Sequence, residues 1–204
     1  MSTKESRLHK AQFWNPADNR EVDCFLCSHR CHILSGKRGI CGVRINEDGI
    51  LYSLVYGQVI AENVDPIEKK PLYHFLPGTR SYSIATPGCN FRCDFCQNWE
   101  ISQARDRLEQ FPGTRVNPLG IVTGALRTGC ASIAYTYTEP TIFMEYALDV
   151  ARLAKEEGIK NVFVTNGYQT PEAIDAWKVK NGYDKPLFIN AGAPGLGSVT
   201  ETIF

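Results

Sequence analysis

In this 204-residue chain the residues with most chemistry to offer are Cys89, Cys93 and Cys96, spaced C-x3-C-x2-C within TPGCNFRCDFCQNWEIS. Thiolates hold iron-sulfur clusters, and a loop this short wraps one face of a cube-shaped [4Fe-4S] cluster and ligates three of its four irons. No further Cys lies near in sequence, whereas an electron-transfer ferredoxin supplies a fourth thiolate. The pattern therefore predicts one open iron, able to chelate a small molecule directly. A structural zinc site is the competing reading, since three thiolates and a remote fourth ligand also satisfy that metal. Zinc sites usually pair C-x2-C knuckles, which the x3 gap fits less well.

A second group, Cys24, Cys27, Cys31 and Cys41, is spaced C-x2-C-x3-C-x9-C. Four thiolates suffice for a closed tetrahedral zinc site or a second cluster; free thiols and a reversible disulfide are the alternatives. His29 and His32 beside it are expected to be surface or packing residues, because four cysteines already complete a coordination sphere. Cys130 stands alone and is expected in the core.

The elements that must position these groups show a change of pattern at Ser81. Before it, residues 1–22 read as a polar, loosely ordered lead-in, and residues 23–80 as a Cys-rich region with a connector. Within that region Gly36, Gly39 and Gly42 mark a loop-rich knuckle. GILYSLVYGQVIAENV alternates as one or two short strands entered by a turn at Asp48-Gly49. DPIEKKPLYHFLPGTR reads as an ordered connector, its Glu68, Lys69, Lys70 and His74 being either substrate or cofactor contacts or members of a salt-bridged linker.

Beyond Ser81, the strands SYSIATPG, CASIAYTYT and KNVFVTN alternate with helical segments. Ile142, Tyr146, Ala147, Val150, Leu153 and Ala154 fall at three-to-four-residue spacing, with Gly158 suited to the C-terminal cap. Thr170, Pro171 and Glu172 open another helix as N-cap, N1 and N2. This alternation predicts a parallel α/β sheet whose functional loops lie at the carboxyl ends of its strands. There the cysteine loop, Tyr137-Thr138-Glu139-Pro140 and Thr165-Asn166-Gly167-Tyr168 all fall.

A C-x3-C-x2-C loop directly after a parallel strand resembles the radical S-adenosylmethionine (SAM) superfamily. The resemblance implies that the open iron chelates the amino and carboxylate groups of SAM and that the reduced cluster cleaves it to a 5′-deoxyadenosyl radical. Phe95 matches the aromatic position that in that family lies against the adenine; packing beneath the loop is the alternative. Glu139 matches the Glu of a Gly-Gly-Glu-Pro type motif that reaches the SAM amino group, with Tyr137 and Thr138 in place of the two glycines. Its alternative role is that of a first-turn helix residue. Thr165-Asn166-Gly167 is similar to a Thr-Asn-Gly of glycyl-radical-enzyme activases, where Asn166 reads equally as a turn residue.

Three longer stretches, CFLCSHRCHILSGKRGICGVRINEDGILYSLVYG, DPIEKKPLYHFLPG and CNFRCDFCQNWEIS, narrow the likeness. They look like the radical SAM enzyme of the AmmeMemoRadiSam system, a relative of pyruvate formate-lyase activating enzymes, over about Asp23 to Ile174. This resemblance implies an oxidoreductase of the activating type, a reductant such as flavodoxin or ferredoxin, and a protein as candidate substrate. An iron-sulfur or zinc binding module without SAM chemistry is the alternative function.

Composition sets outer bounds. Lys plus Arg and Asp plus Glu number 22 each, so no net field favours nucleic acid or a phospholipid surface. The N-terminus lacks the apolar segment of a secretory signal, and no stretch approaches the length of a membrane span, so a cytoplasmic location is expected.

The likeness fades after Ile174. A radical SAM (β/α) barrel needs more βα units than the residues after Arg80 supply at about 30 residues per βαβ unit. Residues 81–204 are therefore expected to form the first half of a barrel, truncated, with KPLFINAG as an added edge strand. A half-barrel exposes a sheet edge and an apolar face.

Overall fold

The computed structural model of the chain describes residues 8–103, 112–181 and 188–190. The glycine-rich tail beyond 190 and the first seven residues lie outside them. The N-terminal third is built of short antiparallel strands: β1 (His9–Lys10), β2 (Trp14–Pro16), β3 (Val22–Cys24), β4 (His32–Ile33), β5 (Arg44–Glu47), β6 (Ile50–Ser53), β7 (Gln58–Val59) and β8 (Ala61–Pro66). β5 and β6 form a hairpin whose turn is Asp48-Gly49, both at positive φ, as Asp-Gly favours. Residues 9–16, expected to be a loosely ordered lead-in, instead carry two strands. β1 pairs with β6 and β2 with β3, because Ala11 and Trp14 find apolar partners in the core.

From Arg80 onward the predicted alternation holds: β9 (Arg80–Ala85), α1 (Trp99–Ser102), β10 (Thr114–Arg115), α2 (Pro118–Arg127), β11 (Ser132–Tyr135), α3 (Met144–Glu156), β12 (Lys160–Thr165), α4 (Pro171–Asn181) and β13 (Phe188–Asn190). One sheet has the order β13-β12-β11-β9-β8. The first four strands are parallel and β8 is an antiparallel edge. β9, β11 and β12 are buried on both faces, as befits parallel strands covered on each side. β8 therefore joins the Cys-rich region to the core: the sheet begins ahead of Ser81.

Helix starts follow the local chemistry. Asn117 accepts from the Gly120 amide with Pro118 at N1, and the Thr170 hydroxyl accepts from the Ala173 amide at 3.2 Å. Gly158 sits at φ 74° past the end of α3. Cys130 is buried, as expected.

A continuous core runs from Val22, Val43 and Leu51 of the N-terminal strands to Phe143, Met144 and Tyr146 beside α3. A second, smaller cluster places Ile67, Leu72 and the partly buried Phe75 of the connector against Ala134 and Val162 of the sheet. The connector thus covers part of that face of the sheet.

Candidate iron-sulfur and SAM site

The parallel strands deliver three loops to one end of the sheet. β9 leads through Thr86-Pro87-Gly88 into Cys89, β11 into Tyr137-Thr138-Glu139, and β12 into Asn166-Gly167-Tyr168. Cross-links tie the loops together. The Thr138 hydroxyl donates to the Thr86 carbonyl at 2.9 Å, and Asn98 Nδ2 donates to the Tyr137 carbonyl at 3.0 Å. Asn166 Nδ2 donates to Asn90 Oδ1 at 2.8 Å, and Asn166 Oδ1 accepts from the Tyr168 amide at 3.0 Å. Asn166 is thus both a turn residue and a bridge to the cysteine loop.

Within that loop, Cys89 and Cys96 are half-buried and Cys93 is exposed. The Phe91 amide donates to Cys89 Sγ at 3.4 Å, Cys96 Sγ lies 3.5 Å from Ser102 Oγ, and the Cys96 amide bonds the Cys93 carbonyl at 3.1 Å. Burial pushes the Cys89 thiol up to about 12, with the charges of Glu139, Cys93 and Cys96 adding to it. The Cys93 thiol is also raised, by burial and then by Cys96 and Asp94. An iron-sulfur cluster held here would bind both as thiolates and offset this rise. Among the described residues no three His, Cys, Asp or Glu side chains converge on a single point at metal-coordinating distance. A cube cluster asks something different, one thiolate on each of three separate irons. The donor chemistry of the 89–96 loop fits that demand.

Glu139 is 3% exposed, and both carboxylate oxygens are engaged. Oε1 accepts from the Thr141 amide at 3.0 Å and from the Thr141 and Thr165 hydroxyls at 2.5 and 2.6 Å. Oε2 accepts from the Asn166 amide at 2.7 Å. Burial raises its pKa while these donors oppose the rise. Its side chain caps the short 3-10 turn of Pro140–Phe143 and locks the second loop to the third. Phe95 is 55% exposed.

Several neighbours of the site carried no sequence signal beyond their proximity to the cysteines. Asn90 and Asn98 flank the thiols and tie the loop down. His29 Nε2 stands 3.0 Å from the Asn90 carbonyl, and its ring meets those of Tyr168 and Phe91 at centroid distances of 4.9 and 6.1 Å. The N-terminal knuckle is thus seated on the site: the Ser28 amide donates to the Tyr168 carbonyl at 2.9 Å, and the Thr170 hydroxyl to the Phe25 carbonyl at 2.7 Å. Among the connector residues, Lys69 and Lys70 both pair with Asp65, at 2.8 and 2.7 Å. Glu68 accepts from the Gly78 amide at 2.6 Å. For Lys69 and Lys70 the salt-bridged linker is the arrangement found.

The sequence profile of the radical SAM superfamily matches residues 83–185, about half of the chain, spanning all three loops. The chain belongs to the radical SAM superfamily. Radical SAM proteins typically bind a [4Fe-4S] cluster and SAM, so SAM-dependent radical chemistry is the chemistry of this fold. Two uncharacterized proteins of Methanocaldococcus jannaschii are similar to this radical SAM chain. MJ0808 is 44% identical over 172 residues, covering 84% of this chain and 51% of its own length. MJ0674 is 38% identical over 88 residues, covering 43% of this chain and 21% of its own. The chain thus spans about half the length of the first relative. No helix among the described residues is long and apolar enough to cross a membrane.

Proposed function

We propose that this chain holds a [4Fe-4S] cluster through Cys89, Cys93 and Cys96, with SAM on the remaining iron, and works as an activating-type radical SAM enzyme of the AmmeMemoRadiSam kind. The observation that carries the reading is the meeting of three strand-end loops, one bearing the thiols, linked through Asn90, Glu139 and Asn166. When bound, the cluster supplies an electron that splits SAM into methionine and a 5′-deoxyadenosyl radical.

Each residue has a part in placement. Cys89, Cys93 and Cys96 ligate three irons and leave the fourth free of protein. Phe95, exposed on the loop, presents a ring for the adenine to lie against. Glu139 orients the second and third loops through its bonds to Thr141, Thr165 and Asn166, and its carboxylate would favour the ammonium group of SAM. A flavodoxin or ferredoxin as electron donor, a protein as substrate and a cytoplasmic location complete the proposal.

Anaerobic reconstitution with iron and sulfide, followed by reduction in the presence of SAM, tests it. Wild type is expected to show broad absorbance near 400 nm that dithionite bleaches and to release 5′-deoxyadenosine, while Cys93→Ala does neither. Equal 5′-deoxyadenosine from the two proteins overturns the reading.

A further inference from the structure

Outside the three-loop site, the N-terminal cysteines have an environment of their own. Cys24 ends β3, Cys27 and Cys31 stand in the turn before β4, and Cys41 lies on the loop leading to β5. These four cysteines and Arg44 line one small, partly open space of about 10 Å³, room for a single water-sized sphere. We propose that Cys24, Cys27, Cys31 and Cys41 close around one divalent ion of the zinc class, held by four thiolates beside the Arg44 guanidinium.

Two observations converge on an ion there. The four cysteines line one small space, the arrangement a tetrahedral tetrathiolate site needs. In addition, Arg44 is 2% exposed, and its Nε–H has no hydrogen-bond partner among the described residues. A buried donor is seldom left so, and Arg44 lines the same space as the four cysteines. Four thiolates on a divalent ion carry two net negative charges, and Arg44, whose Nη1 is already paired with Glu145, has its Nε–H left to offer them.

The sulfurs surround the space without yet converging at coordinating distance. The chain path is already set, because the Cys24 amide bonds the Cys31 carbonyl at 2.9 Å and the Gly42 amide the Gly39 carbonyl at 2.8 Å. Closing the site requires the four sulfurs to move toward a common point. The balance is simple: one divalent ion enters, four S–H protons leave to solvent, and nothing is oxidised or reduced.

The test uses the full chain with Cys89, Cys93 and Cys96 all changed to Ala, so that failure of the cluster reading cannot affect it. Purified with zinc and a thiol reductant, this variant is expected to hold about one zinc per chain and to show four thiols that react with a chromogenic disulfide only after chelation. Adding Cys41→Ser is expected to cut bound zinc at least tenfold. The same counts on wild-type chain grown without iron guard against misfolding of the variant. Four freely reactive thiols with no bound metal, iron in place of zinc, or thiols masked by disulfides that a reductant alone releases would each overturn the assignment.

Discussion

Gly88 stands at φ 101° immediately ahead of Cys89. A Cβ there would meet Val43 Cγ1 at 2.5 Å and Ile142 Cδ1 at 3.2 Å. The left-handed conformation and the contact with the N-terminal loop both require a residue without a side chain. Gly88→Ala is therefore expected to destabilise the chain by roughly 1–3 kcal/mol and to lower the iron bound on reconstitution, read by thermal denaturation and iron analysis. Unchanged melting and iron content would show that the entry to the thiol loop tolerates displacement. Local spacing made the three thiols legible, since a cluster loop is a short-range object. The engagement of Glu139 was not, because its partners Thr165 and Asn166 come from the next strand.

Among elements, the connector is the part whose role changed most between sequence and structure. Asp65 at the end of β8 accepts from Lys69, from the buried Lys70 and from the Tyr137 hydroxyl at 2.5 Å, and the Lys70 ammonium lies 4.7 Å from the Tyr137 ring. Burial alone would raise the Asp65 carboxyl, but hydrogen bonds from Lys69, Lys70 and Tyr137 outweigh it and hold the group well below the usual carboxylate range. A depressed folded pKa contributes stability above the unfolded value of about 3.9 and loses it as pH falls toward the folded value. Asp65→Asn strands Lys70 without a counter-charge, so a loss of about 3–5 kcal/mol is expected near neutral pH. In urea titrations the gap to wild type should narrow below roughly pH 4; a gap independent of pH would rule out the ion pair as its source. Prolines and charges identified the segment as an ordered linker, yet only the β8–β9 pairing put Asp65 within reach of Tyr137.

At the scale of the whole molecule, the N-terminal strands and the parallel sheet are joined through a buried ion pair. Arg44 of β5 donates to Glu145 of α3 at 2.9 Å, the side chains being 2% and 1% exposed, and the Gln12 amide donates to the same carboxylate at 2.8 Å. Arg44 also donates to the Gln12 carbonyl. Glu145→Ala leaves a buried guanidinium unpaired and is expected to lower stability by about 3–5 kcal/mol, measured as the urea midpoint. A shift smaller than about 1 kcal/mol would mean that this contact does not hold the two parts together. Nothing in the run of residues around either position announced the pair, because they lie 101 positions apart.

By itself, the sequence determined what depends on short range: the thiol spacing, the strand and helix alternation after Ser81, the helix caps at Thr170 and Gly158, and the Asp48-Gly49 turn. The tertiary structure alone decided which loops meet, which face of the sheet the connector covers, that the N-terminal knuckle seats on the thiol loop through His29 and Ser28, and that Arg44, paired with Glu145, stands beside the four N-terminal cysteines. Such contacts follow from strand order and register, which bring together groups far apart along the chain, and no local spacing encodes them.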